Sequence, residues 1–145
     1  MLAFIRIVLL LCFIVIASSI GLLICLVRPF HRDNVGLFSR WYGKASWIFG
    51  VEVEIRQSPE ILKAMPCVFV ANHQNNYDLF TISGALLKGT VTIGKKSLKF
   101  IPFFGQLYWL SGNILIDRDN KSRAVGTMQG AVERINKDKV SVWVF

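Results

Sequence analysis

Twenty-one consecutive residues, Ile7 to Val27, carry no charge. At 1.5 Å of rise per residue, a helix over them is about 31 Å long, enough to cross one bilayer core. Fifteen of the 21 are Leu, Ile, Val or Phe, and Ser18, Ser19 and Gly21 offset them only slightly. A cleaved signal peptide is the alternative. Arg6 suits one, but the run is too long for its apolar region, and no small-residue cleavage site precedes a polar start. Pro29 is expected to end the helix. Arg28, His31, Arg32, Arg40 and Lys44 follow, with only Asp33 opposing them. The side richer in Lys and Arg stays cytoplasmic, so the remainder of the chain is expected to face the cytosol.

A second stretch shares the membrane-seeking character. Phe38, Trp41, Tyr42, Ala45, Ile48 and Phe49 recur at helical spacing, and Arg40 and Lys44 take the other face. That pattern fits an interfacial amphipathic helix, and equally a helix packed on a domain core. The two segments together also fit a hairpin dipping into one leaflet. The expected division is a membrane-anchoring segment over 1–49 and a cytosolic domain over 50–145. The net charge of +8 arises from 17 Lys and Arg against 9 Asp and Glu. With an apolar anchor present, anionic lipid is a better partner for it than nucleic acid, for which no motif appears. The three cysteines form no CxxC pair and read as small buried hydrophobes of a reducing compartment.

Beyond Gly50 the pattern alternates. Val51 to Ile55 has period two and predicts a strand with one wet face. Cys67 to Ala71 is a continuous apolar run and predicts a central buried strand. Leu79, Ile82, Leu86 and Leu87 share a helical face. Thr90 to Ile93 and Ile114 to Ile116 predict strands, with a short aromatic helix over 102–110 between them. Ala124 to Ile135 predicts a helix and Val140 to Phe145 a further strand. Strands alternating with helices on short links imply an α/β fold with a mostly parallel sheet flanked by helices, preceded by the membrane helix or two-helix hairpin.

Ala71 to Asp78 follows the buried run directly. Ligands of α/β sheets sit beyond the carboxyl ends of the strands. His73 is therefore expected at the mouth of a crevice, with Asp78 folded back under its imidazole. A carboxylate on one ring nitrogen fixes the tautomer and leaves the other free to take a proton. No serine nearby fits a nucleophile, so the nucleophile would be a hydroxyl on the substrate. Asp78 as a simple helix cap is the competing reading. Lys95-Lys96 and Asp117-Arg118 each follow a strand end, where they suit an anionic group such as phosphate or form a solvated basic surface. The apolar stretch from Phe100 to Leu110 reads as core, as the lining of an acyl-chain tunnel, or as a surface resting on the bilayer.

Taken together these blocks resemble the glycerolipid acyltransferase superfamily, its bacterial members above all. Asn72-His73-Gln74-Asn75-Asn76-Tyr77-Asp78 is similar to its NHxxxxD block. Lys95-Lys96-Ser97-Leu98, Ile101 to Gly105 and Gly112 to Arg118 resemble its second block, and Val142 to Phe145 the strand leading to its third. The resemblance implies transfer of an acyl group from acyl-CoA or acyl carrier protein to the 2-hydroxyl of 1-acyl-glycerol-3-phosphate (lysophosphatidic acid), giving phosphatidic acid. It implies His73 as general base, Asp78 as its orienter, Lys95 with Lys96 on the phosphate, Arg118 on the glycerol phosphate, and Asn72 and Gly105 as motif support. No metal or redox cofactor is implied. The implied setting is the bacterial inner membrane, with the bilayer as partner and the catalytic part in the cytoplasm. Ser97 departs from a Glu common in the family. The third block, Pro-Glu-Gly-Thr-Arg, is expected immediately after Phe145, so the resemblance implies a truncated, incomplete acyltransferase fold. The alternatives it leaves are a non-catalytic lipid-binding remnant and an acyltransferase with another glycerolipid acceptor.

Overall fold

The computed structural model describes residues 1–145, the side chain of Lys121 excepted. Helix α1 runs over Leu2–Val27 and stops where Arg28 leaves helical geometry ahead of Pro29. Its small residues Ala17, Ser18, Gly21 and Cys25 form the buried stripe, and the remaining apolar side chains from Leu2 to Val27 largely face outward. Gly21 admits close packing of α5, for a β-carbon there would stand 2.7 Å from the Leu107 Cδ1 and 3.3 Å from the Phe38 ring.

Helix α2 (Asn34–Lys44) and the 3-10 turn Ala45–Phe49 come next. Val35, Phe38 and Tyr42 of α2 are buried. Of the two readings of residues 38–49, packing on the domain core is the one this geometry carries, and Trp47 alone of its aromatic residues is strongly exposed. The core does not divide at residue 50. One buried cluster joins Ala17, Phe38, Tyr42 and Ile48 to Phe80 and Leu107.

The sheet contains β1 (Val68–Val70), β2 (Thr90–Lys95), β3 (Ile114–Ile116) and β4 (Ser141–Val144) in the order β1-β4-β2-β3, all parallel. Val142 sits opposite Val68 on one side and Val91 on the other. Around the sheet lie the short α3 (Glu60–Lys63) and α4 (Asp78–Thr81), then α5 (Phe104–Leu110) and α6 (Lys121–Asp138). The second buried cluster fills the space on β2 and β4 with Val91, Ile93, Val140 and Val142, closed by Val35 and Ala131 from the helices. α6 is started by Asn120, whose Oδ1 accepts the Arg123 N–H at 3.0 Å.

Three expectations are corrected. Val51 to Ile55 is not a strand; it runs irregularly beside the 3-10 turn Ser83–Ala85, with Gln57 Nε2 donating to the Ala85 carbonyl at 2.7 Å. The apolar run at 68–70 is an edge strand, paired only with β4 among the described residues, and Val70 is 82% exposed. The helix expected over 78–87 is not continuous: α4 ends at Thr81 and the 3-10 turn Ser83–Ala85 follows, where α2 crosses closely at a glycine pair. A β-carbon on Gly43 would lie 2.6 Å from the Gly84 backbone.

Leu107 is 3% exposed and fills the gap between α1 and the α2–α5 layer. Leu107→Ala is expected to cost about 2–5 kcal/mol, read as a lower denaturant midpoint with an unchanged slope.

Candidate active site

The loop after β1 turns on itself before α4. Asn75 Oδ1 accepts the Tyr77 N–H at 2.7 Å, which reverses the chain and brings Asp78 back beneath His73. Asp78 Oδ2 lies 2.7 Å from His73 Nδ1 and accepts the N–H groups of Gln74 at 2.8 Å and Asn75 at 3.2 Å. Tyr77, not Asp78, occupies the cap position of α4, and the Asp78 side chain bonds backwards into the loop. Of the two sequence readings of Asp78, the ring partner is therefore the one the geometry supports.

Desolvation works to raise the Asp78 carboxyl, but the two backbone N–H bonds and the His73 ring outweigh it and hold it below the ordinary carboxylate range. The carboxylate is thus ionised at neutral pH and accepts from the His73 Nδ1–H, which leaves Nε2 as the ring nitrogen not tied to Asp78. The His73 side chain is 52% exposed against 14% for Asp78. The Phe145 ring stands 5.7 Å from the imidazole.

His73 and Asp78 line a cavity of about 510 Å³ together with Lys95 and Arg118. Lys95 is the last residue of β2 and Arg118 follows β3, so parallel pairing delivers both to the edge where the His73 loop emerges. Much of the wall is apolar: Leu79, Leu98, Ile101 and Phe104, with Phe38 from α2 and Ile14 from α1. A carboxylate-paired imidazole and two cations lining one chamber have the chemistry to receive an amphiphile with an anionic head and to accept a proton from a hydroxyl.

Other expected site residues stand apart from this lining. Lys96 points to Asp117, with Nζ 3.2 Å from Oδ2, and Arg123 approaches the same carboxylate at 3.7 Å. The Lys96 hydrogen bond leads the causes that hold Asp117 below its ordinary range. Asn72 is exposed. Gly105 supports the backbone, since a β-carbon there would lie 2.7 Å from the Lys99 carbonyl carbon.

Sequence reasoning missed a polar cluster on the cavity wall. Thr92 Oγ1 meets the Tyr108 hydroxyl at 2.5 Å and donates to Asn113 Oδ1 at 2.8 Å, while Asn113 Nδ2 donates to Ser111 Oγ at 3.1 Å. Burial pushes the Tyr108 hydroxyl up to about 12, with the Thr92 bond acting against it. The available signal was a Tyr inside an aromatic helix with polar residues just after it. Gly94 makes room for the phenol, because a β-carbon there would lie 2.5 Å from the Tyr108 oxygen.

A family model described as Acyltransferase matches residues 52–145. A protein of Escherichia coli (strain K12), called 1-acyl-sn-glycerol-3-phosphate acyltransferase, is 40% identical over all 145 residues and 59% of its own length. A protein of the same name from Haemophilus influenzae is 41% identical over the whole chain and 60% of its own length. The human 1-acyl-sn-glycerol-3-phosphate acyltransferase beta is 30% identical over 93% of this chain and 49% of its own. The chain thus spans about 60% of the length of the bacterial relatives. No solved structure matches it.

The Asp78 linkage has a definite sign. A carboxyl lowered from 3.8 adds stability above that value and loses it as pH falls through 3.8 and then through the lowered folded value. The stability difference between the native chain and Asp78→Asn is therefore expected to shrink on acidification, measured by chemical unfolding at about pH 6 and about pH 3.

Proposed function

Since the chain belongs to the acyltransferase family, we propose that it carries the base and the phosphate-facing part of an enzyme that acylates the 2-hydroxyl of 1-acyl-glycerol-3-phosphate. The observation that carries this reading is the His73–Asp78 pair at the rim of the apolar cavity, with Lys95 and Arg118 on the same rim. The printed names of the bacterial relatives support the acceptor.

In this mechanism the acceptor phosphate lies between Lys95 and Arg118, and Arg118 has the planar fork that suits phosphate oxygens. The acceptor hydroxyl approaches His73 Nε2. The imidazole takes its proton as the oxygen attacks the thioester carbonyl of acyl-CoA or acyl carrier protein. Asp78 holds Nδ1–H and steadies the imidazolium that forms. Collapse of the tetrahedral intermediate breaks the carbon–sulfur bond, and the thiolate takes the proton from Nε2. The products are the diacyl glycerol-phosphate and the free thiol, and His73 is again neutral. The apolar walls hold acyl chain and keep water away from the thioester. α1 holds the enzyme at the bilayer where its substrate resides, and the basic residues after it favour the cytoplasmic face of a bacterial inner membrane.

The test uses the protein expressed from its own coding sequence to the stop codon. Acceptor-dependent thiol release from acyl-CoA is measured in isolated membranes. His73→Ala is expected to reduce it about a hundred- to ten-thousand-fold while membrane sedimentation persists. Unchanged turnover would remove His73 from the mechanism. Vesicle binding without turnover in the native chain would favour a non-catalytic lipid-binding protein. Preference for another lysolipid in competition would reassign the acceptor.

A further inference from the structure

The outward side of α5 carries a ridge that the reaction does not use. Phe103, Gln106 and Trp109 follow one another at a spacing of three along the exposed stripe of the helix. Phe100 precedes them at 72% exposure, and Phe103 and Trp109 are about half exposed. Phe30, just past α1, packs its ring edge-on against Trp109 at 5.4 Å and is itself half exposed.

Backbone strain holds this ridge outward. Phe103 has φ 62° and ψ −58°, and the Phe104 N–H donates to the Pro102 carbonyl at 2.7 Å. That is a γ-turn of the rare, strained hand. Phe30 also stands at positive φ, 55°, with its N–H donating to the Leu110 carbonyl at 2.8 Å. Bulky side chains seldom occupy this region. Here two phenylalanines do so without gaining full burial, so the fold spends strain to present apolar rings on its surface.

We propose that this ridge (Phe30, Phe100, Phe103, Trp109) is a second lipid-contact face, laid on the bilayer beside α1. It rests on the reading of α1 as membrane-associated. Two observations select lipid over a second copy of the chain or another protein. The ridge is continuous with α1: Leu107 on the inner side of α5 packs against Gly21, and Phe30 joins the end of α1 to Trp109. Its rim is basic: Lys99 holds its ammonium 4.9 Å from the Phe100 ring centre and shares a cleft with Lys96 and Trp109. Aromatic rings beside lysines at the end of an apolar helix match the headgroup level of an anionic bilayer.

The chain has four tryptophans, so the test compares the full protein with Trp109→Phe. Both are bound to vesicles of phosphatidylcholine and phosphatidylglycerol whose acyl chains carry bromine, a contact quencher of indole. Both are expected to sediment with the vesicles, and the variant is expected to lack part of the emission that bromine quenches in the native protein. Phe100→Ser with Phe103→Ser is expected to leave sedimentation intact and move the Trp109 contribution to longer wavelength. Equal bromine-quenched emission in native and Trp109→Phe protein overturns the face while leaving α1 as anchor. Trp109 emission shielded from both bromine and aqueous acrylamide overturns it in favour of a protein partner. Failure of both proteins to sediment overturns the membrane reading and this face with it.

Discussion

The site depends on the insertion of β4 between β1 and β2. Its Val142 meets Val68 on one side and Val91 on the other. All four strands run the same way, so everything that leaves their carboxyl ends emerges along one edge. The His73 loop follows β1, Lys95 closes β2, Arg118 follows β3, and Phe145 follows β4. Without β4, β1 has no paired path to β2, and the His73 loop loses its fixed separation from the cations. Val140 and Val142, buried at 0% and 2% exposure, hold this arrangement by apolar burial worth about 1.5–3 kcal/mol each. Packing at the centre of the sheet thus sets the spacing of exposed groups at its edge.

A second coupling joins the membrane-length helix to the cavity. Ser18 of α1 and the Tyr42 hydroxyl of α2 lie 2.8 Å apart inside the protein. Desolvation raises the Tyr42 hydroxyl above its ordinary value, with the Ser18 bond opposing. Phe13 packs edge-on against the same ring. Tyr42 and Ile14 both line the cavity, so one side of α1 is a wall of the chamber while its other side is apolar and exposed. The stripe of small residues that admits this close packing also keeps α1 from standing as an independent tether.

What the sequence made legible was local and periodic. The uncharged run became α1, the apolar segment at the end became β4, and the alternation of strands and helices became a parallel sheet. The spacing from His73 to Asp78 was legible because a six-residue loop has few ways to bring its ends together. What failed was set by distant partners. Val51 to Ile55 alternates as a strand should, but no strand lies alongside it among the described residues. The helix over 78–87 has the right period, and it gives way to a 3-10 turn where α2 packs against Gly84. Lys96 read as the second choice after Lys95 for a phosphate, and the chain after β3 brings Asp117 within 3.2 Å of it. Lys95 closes β2 and lines the cavity, whereas Lys96 opens the 3-10 turn Lys96–Phe100 and reaches the ion pair.

Asp78 shows how fold and chemistry share one atom. Its Oδ2 takes two backbone N–H groups of the loop as well as the imidazole. The bonds that shape the loop therefore also keep the carboxylate ionised and aimed. This matters because His73 is half exposed, and a ring so placed is free to rotate unless one nitrogen is tethered. A tether that itself moved would serve poorly, and here it is fixed by the main chain on which the histidine sits. The geometry of the His73–Asp78 pair is therefore set within six residues. The cavity and the cations are what the rest of the fold must bring to it.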